Sequence, residues 1–398
     1  MKILGHLFYT LVLATAIGCG MAATPAVAAK HATRPTPTPA ATAPALQRGV
    51  NLSHWLQFGG RQPVVAADMA MIKSAGFDHV RIPFDPALLG WNPDAATPTL
   101  YWTALDQAVN LALQANLAVI IDFHAQEALR DRIETQSAVQ TAFLDLWQQI
   151  ASHYAARPVA SLAFELLNEP QYYGSGGAAR WDALQQQALW RVRQAAPGHL
   201  VLLSGTQGGS IAGLLTMAQI KDDNVRYLFH FYDSMLFTHL NAPWEPFLSG
   251  PAGMITNLIY PARNALRQVK VLPNADPTIA MAAVNQYVTE NWGPRVIKQT
   301  LAQAQNWAAQ RGVSLICNEF GVLRVGPDAM SRNAWLNDTR SALEGLGIGW
   351  SVWDYADVFG IATANPGWPT GDHSVVPADP LNPRRTFDPG ILATLGLK

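Results

Sequence analysis

The chain has 398 residues, of which 49% are hydrophobic and 14% charged, and its formal net charge is −1. That much apolar sequence supports one large core or two ordinary ones. A charge so near balance, with no long basic run, argues against a nucleic-acid or anionic-membrane surface, because both need a basic patch. The 13 Trp and 10 Tyr suit a groove that stacks and hydrogen-bonds a neutral polar ligand, although large aromatics are on average core residues.

Residues 1–28 read as an export signal. Lys2 gives the positive end, LFYTLVLATAIG is an apolar stretch too short to span a bilayer, and AVA at 26–28 is a cleavage site. A secreted or periplasmic protein is expected; Cys19, after AIG, offers lipid anchoring as a second reading. Cleavage after Ala28 leaves Cys317 alone, so no disulfide is expected, and its apolar surroundings predict a buried thiol. Residues 29–47, rich in Pro, Thr and Ala, read as an extended linker. The folded domain is expected over 48–398.

From there two patterns alternate. GVNLS near 50 predicts a strand, and VVAADMAMIKSAG a helix with Ala67, Met71 and Ile72 on one face and Gly76 as its stop. HVRIPF near 81 is the second strand, followed by YWTALDQAVNLALQAN with Leu105, Ala108, Val109 and Ala112 at helical spacing. LAVIIDFH ends at His124, and the next helix places Val139, Phe143, Leu146, Trp147, Ile150 and Tyr154 on one face. SLAFELLNE ends at Glu169, HLVLLSG lies near 202, and RYLFHFY ends at Tyr232. Residues 233–293 are too long for a simple strand–helix connection and predict an elaborated loop or small subdomain over the rim. A helix stopping at Gly312 leads to VSLICNE, ending at Glu319. A last helix, stopping at Gly345 or Gly347, leads to IGWSVWD, ending at Asp354. Most of the eight runs are continuously apolar, the mark of parallel strands covered on both faces. Eight strand–helix alternations predict a closed (β/α)8 TIM barrel. An open doubly wound sheet is the alternative, weakened because no Gly-rich phosphate loop follows the first strand.

The polar residues that interrupt these runs fall at their ends: Arg81, His124, Asn168 with Glu169, His230 with Tyr232, Glu319, and Trp353 with Asp354. In such barrels the carboxyl ends of strands carry the working residues. Each also has a structural reading: Arg81 as an ion-pair partner, His124 and His230 as satisfied core histidines. Glu165, four residues before Glu169, is expected near the opposite end of the barrel wall, paired with an Arg or Lys, and Asp122 in a similar role. Two glutamates across a water-excluding cleft fit glycoside hydrolysis, which needs one carboxyl protonated and the other ionised. Arg81 beside one carboxylate would separate the two pKa values. Tyr232 is a candidate hydrogen-bond donor to the nucleophile, Asn168 a partner for the sugar 2-hydroxyl, and Trp353 a stacking surface.

LLNEP, CNEFG, RIPF, DFH, HFY and WSVWDY, in that set and in the family's order, resemble glycoside hydrolase family 5, the cellulase family of the retaining (β/α)8 clan. The resemblance covers essentially all of residues 48–398. It implies Glu169 as acid/base and Glu319 as nucleophile, with Arg81, His124, Asn168, His230, Tyr232 and Trp353 around them. It also implies no metal, no cofactor and a polysaccharide or oligosaccharide substrate. Ser234 and Leu240 stand where members often have Pro and Gln, which together with the long insertion puts the subsite pattern in question. The expected activity is a secreted endo-β-1,4-glucanase. A β-1,3-glucanase or mannanase is the alternative within the family. A catalytically silent sugar-binding barrel would lack Glu169 or Glu319. A metal-dependent barrel hydrolase using His124, His230 and a glutamate would show a His-x-His pair after the first strand, where only His54 stands. Trp55, Trp91, Trp244 and Trp368 are candidate stacking platforms. No membrane span and no nucleic-acid partner are expected, and the sequence gives no oligomeric state.

Overall fold

The computed structural model describes residues 43–57, 60, 62–95, 99–363 and 384–398. The expected leader, most of the expected linker and Trp368 lie outside the described residues. All eight expected runs form strands: β1 (Arg48–Asn51), β2 (His79–Phe84), β3 (Ala118–Phe123), β4 (Leu162–Glu165), β5 (Leu200–Ser204), β6 (Val225–Phe231), β7 (Leu315–Phe320) and β8 (Gly349–Val352). Each pairs in parallel with the next and β8 pairs back onto β1, closing a barrel. The principal helices are α1 (Ala66–Ala75), α2 (Thr103–Gln114), α3 (Glu127–Thr135), α4 (Ser137–Tyr154), α5 (Gly177–Ala195), α6 (Pro277–Thr289), α7 (Pro294–Arg311) and α8 (Ala329–Gly345).

The two-residue period of the strands divides the core. Ile120, Ala163, Leu200, Leu202, Leu228 and Ile316 form a small apolar cluster inside the barrel, joined by Leu46, so packing begins before the expected start at Arg48. Their neighbours in sequence, such as Val119, Ile121, Phe164, Phe229 and Val201, pack outward in the larger core that also holds the buried helix residues. Space inside the barrel is tight: a Cβ on Gly49 would lie 2.1 Å from His79 Nε2, and that ring meets Ser351 Oγ at 2.8 Å.

The expected buried faces of α2 and α4 are the observed ones. On α1 the expectation holds for Ile72 and for the stop at Gly76, but Ala67 is exposed and Met71 only partly covered, and Met69, Ala75 and Asp68 complete the buried face. Asp68 faces inward because it accepts hydrogen bonds from Tyr355 Oη (2.7 Å) and Arg385 Nη1 (2.9 Å).

The long interval 233–293 contains short helical turns, a two-stranded antiparallel pair (Ile255–Thr256 with Lys270–Val271) and α6. It is tied to the barrel where Leu323 N donates to Thr238 O (2.9 Å), Trp335 Nε1 to Asp233 O (3.1 Å) and Tyr260 Oη to Asp338 Oδ2 (2.8 Å).

Candidate active site

Above the apolar floor, the inward-facing strand positions become polar. Along β3 the inward series Ala118, Ile120 continues to Asp122 and His124; along β6, Leu228 is followed by His230 and Tyr232. On β7 one residue interrupts the alternation: Cys317 pairs with Phe229 and Glu319 with His230, leaving Asn318 as the extra residue of a bulge. Bulges re-aim side chains. Here Asn318 and Glu319, adjacent in sequence, both reach the barrel interior: Asn318 Nδ2 donates to Glu165 Oε2 (2.7 Å), and Glu319 meets Arg81.

Arg81, on β2 and fully buried, is the hub. Its Nε and Nη2 donate to Glu165 at 2.7 Å each, Nη2 also to Asn168 Oδ1 (2.8 Å), and Nη1 to Asn51 Oδ1 (3.0 Å) and Glu319 Oε1 (2.5 Å). Asp122 Oδ2 lies 2.9 Å from Nη2. Burial alone would weaken the guanidinium's hold on its proton, but Asp122, Glu165 and Glu319 raise its pKa well above the ordinary value. A buried cation paired on several sides orders all of its partners.

Glu319 is 4% exposed. Arg81 takes its Oε1, and Tyr232 Oη donates to Oε2 at 2.9 Å. Glu169 sits more openly at the mouth, its side chain 31% exposed. His230 Nδ1 stands between the two carboxylates, 3.1 Å from Glu169 Oε1 and 3.5 Å from Glu319 Oε2. One carboxylate oxygen of each glutamate and a nitrogen of His230 lie within 4.8 Å of one another. Burial raises the pKa of Glu169, but the His230 hydrogen bond and charge, with Arg130, outweigh it and hold the carboxyl down at about 2. For His230, burial disfavours the charged ring, yet the charge of Glu319 and the bond to Glu169 raise its pKa. The contact therefore favours a carboxylate on Glu169 and a positively charged ring on His230.

The backbone at Glu169 is left-handed, with φ 49, which costs a non-glycine residue about 1 kcal/mol or more and is found where surrounding structure enforces it. The enforcing neighbour is the turn at 206–209, where Gln207, Gly208 and Gly209 have φ of 57, 69 and 67. Gln207 N donates to Gln171 O (2.9 Å) and Gly208 N to Pro170 O (3.2 Å).

His124 is neutral: burial first, then the charge of Arg81, lowers its pKa to about 3. Its Nδ1 lies 2.8 Å from Asp122 Oδ2. With the proton there, Nε2 accepts from Asn168 Nδ2 at 3.3 Å. Asp122 itself is raised to about 7, by burial against the pull of Arg81. Trp353 is partly exposed and its ring lies 5.9 Å from that of His124 at an angle of 20°.

The structure thus brings together all eight residues singled out as the site: Arg81, His124, Asn168, Glu169, His230, Tyr232, Glu319 and Trp353. Two expectations need correction. Glu165 is paired with an arginine, but that arginine is Arg81, so Glu165 lies directly beneath the site and not at the far end of the wall. Regular pairing of β4 stops at Glu165, and the next four residues form the mouth. Trp91 is 6% exposed and packs edge-on against Phe123 (5.9 Å), so it belongs to the core. Trp55 also packs against the core. Trp244 stays 36% exposed, beside the stacked pair His239–Phe247 (4.3 Å) on the rim. Cys317 is buried, and its Sγ lies 3.3 Å from Glu319 O. Sequence reasoning missed Asn51, Asn318 and Arg130. Asn318 was legible as the polar residue beside Glu319 in a buried run; Asn51 and Arg130 carried no signal.

Among the described residues, Glu169, His230 and Glu319 are the one group of His, Cys, Asp or Glu side chains spaced to hold a metal ion. Arg81 and Arg130 lie at 2.5 and 3.4 Å from the same carboxylates, and two guanidinium groups there oppose a cation.

A parallel barrel with two carboxylates converging at the carboxyl ends of its strands has the architecture of an O-glycosyl hydrolase. Residues 39–358 match the profile of the cellulases, glycosyl hydrolase family 5, and the chain belongs to that family. It is 28% identical over 340 residues to Endoglucanase 3 of Fibrobacter succinogenes, covering 79% of this chain and 50% of that protein; this chain therefore spans half the length of that relative. It is 27% identical to Endoglucanase C of Acetivibrio thermocellus, covering 77% and 90%. The fold matches that of endoglucanase Cel5A from Thermotoga maritima with a TM-score of 0.66 at 23% identity, covering 88% of this chain and 97% of that one. Among the described residues, no helix is long and apolar enough to cross a membrane.

Proposed function

We propose that the protein is an exported endo-β-1,4-glucanase that retains anomeric configuration by double displacement. The observation that carries this reading is the approach of Glu169 and Glu319, with carboxylate oxygens within 4.8 Å. Retaining enzymes place their carboxyl groups about 5 Å apart, and inverting enzymes leave roughly 6.5–9.5 Å for a water. The names of the relatives, endoglucanases in both cases, support a glucan substrate and endo action.

In the first step, Glu319 Oε2 attacks the anomeric carbon as the bond to the leaving oxygen breaks. That oxygen takes a proton from Glu169, which draws it from His230 when sugar fills the gap. Formation of the ester consumes the Glu319 charge. In the second step, the Glu169 carboxylate removes a proton from water, whose oxygen attacks the same carbon and releases Glu319. Arg81 fixes one oxygen of the nucleophile, leaving the other for attack. Asn168, held by Arg81 and His124, is placed to bind the 2-hydroxyl, and Trp353 offers a sugar ring an apolar face.

Glu169→Gln should abolish hydrolysis of unactivated glucan and retain turnover of aryl glycosides with good leaving groups. Glu319→Gln should stop both, because no ester forms. Product analysis on purified β-1,4-glucan, β-1,3-glucan and mannan tests the linkage. Full activity of the Glu319 variant would overturn the mechanism, and exclusive cleavage of mannan or β-1,3-glucan would overturn the substrate.

A further inference from the structure

Glu169 is held at both oxygens. His230 meets Oε1; Arg130 Nη1 meets Oε2 at 3.4 Å. Arg130 does not come from a strand end but from α3, and its side chain is only 16% exposed. α3 is fastened to the chain that follows Glu169: Tyr172 N donates to Glu134 Oε2 (3.0 Å) and Tyr172 Oη to Ile133 O (3.3 Å). Just ahead of α3, Gln126 Nε2 donates to Asp85 Oδ2 (2.7 Å). The helix and the loop carrying Glu169 are thus one assembly, and Arg130 is delivered to the carboxylate by a fixed scaffold.

We propose that Arg130 is a positioning residue for the acid/base carboxylate, holding Glu169 towards the leaving oxygen and setting the alkaline limit of activity. The inference rests on Glu169 being the acid/base. The charged and titratable groups that face Glu169 are His230 and Tyr232 at the end of β6, Arg130 from α3, Glu319 from β7, Asp122 and His124 at the end of β3, and His239 from the rim. His124 and His239 are neutral, held down by burial to about 3 and about 4. Arg130 and His230 are the basic groups in direct contact with the carboxylate, and of the two only the imidazole can exchange a proton at working pH. Removing the Arg130 charge makes the proton shared by Glu169 and His230 harder to lose, so the alkaline limb of kcat/KM moves upward.

The test is kcat/KM against pH on cellopentaose for the wild type, Arg130→Met, Arg130→Gln and Arg130→Lys, with thermal midpoints alongside. The alkaline limb should rise by about one pH unit in the two neutral variants, the low end for a close opposite charge, and should stay in place in Arg130→Lys. If Arg130→Met does not fold, Arg130→Gln carries the comparison. A folded neutral variant with an unmoved limb, or a lysine variant that shifts as far as the methionine one, overturns the proposal. Glu169→Gln separates the two levels: if that variant cleaves cellopentaose like the wild type, the acid/base reading falls. If it is inactive while the Arg130 limb stays put, only the role of Arg130 falls. Absence of cleavage by the wild type sinks both.

Discussion

Tyr232 shows how one hydroxyl serves both structure and chemistry. Its ring packs against His239 (5.2 Å) and Phe359 (6.0 Å), and its Oη donates to Glu319 Oε2. Burial, and then the negative charge of Glu319, raises its pKa well above the ordinary value, so it remains a donor at any working pH. Tyr232→Phe keeps the ring and removes the bond. A hydrogen bond to a charged group contributes about 1.5–3 kcal/mol, so kcat/KM should fall roughly 10- to 100-fold, and the thermal midpoint should fall too, because buried Glu319 loses a partner. An unchanged kcat/KM would mean that this hydroxyl does not orient the nucleophile. Tyr232 was readable in the sequence because it interrupts an apolar run at its end. Arg130 was not, because an arginine on a helix among other charged residues looks like a solvated face until the helix is seen docked beside Glu169. Glu165 was misplaced for a related reason. Four residues of strand would span about 13 Å, but the extended pairing stops at Glu165, and counting along the chain cannot show where pairing ends.

At the level of elements, the site depends on how closely the ends of β7 and β8 approach. Trp353 N donates to Phe320 O at 2.8 Å, and a Cβ on Gly321 would lie 2.1 Å from Trp353 O. The obstructing atom is backbone and cannot rotate away. Gly321→Ala should therefore push the two strand ends apart and displace Trp353, with a stability loss of about 1–3 kcal/mol and a raised KM for oligosaccharides. A variant with wild-type midpoint and KM would show that this contact relaxes without consequence. Gly321 is the glycine of CNEFG, and the close Trp353 carbonyl is the steric reason for it. The strands and the buried faces of α2 and α4 were legible because apolar periodicity reports burial directly. The face of α1 was partly misread because Asp68 is a polar residue turned inward to Tyr355 and Arg385, which breaks the pattern the eye follows. The architecture of 233–293 was illegible beyond its length, since two-residue strands and single helical turns are too short to show a period.

Across the whole molecule, burial raises the pKa of several carboxyls outside the reacting pair, Asp354 among them. Asp354 accepts from Ser53 Oγ (2.9 Å) and Asp357 N (2.8 Å). Burial and then the charge of Asp357 raise its pKa to about 7, as burial does for Asp122. Between the unfolded value of about 3.9 and about 7, the folded state keeps a proton that the unfolded state has released. Stability from such a group is complete at the acid end of that window and falls as pH rises through it. The neutral His124 and His239 slope the other way, because the unfolded rings gain protons below about 6.5, so the overall profile mixes both signs and a single variant isolates one. Asp354→Asn keeps an uncharged group of the same shape and cannot ionise. Relative to wild type it should gain stability as pH rises from 5 to 8, by at most about 1.4 kcal/mol per pH unit within the window, measured as the difference in urea midpoints at the two pH values. The same offset at both would show that Asp354 is ionised in the folded protein throughout, and that Ser53 and the Asp357 amide solvate its charge well enough to offset burial.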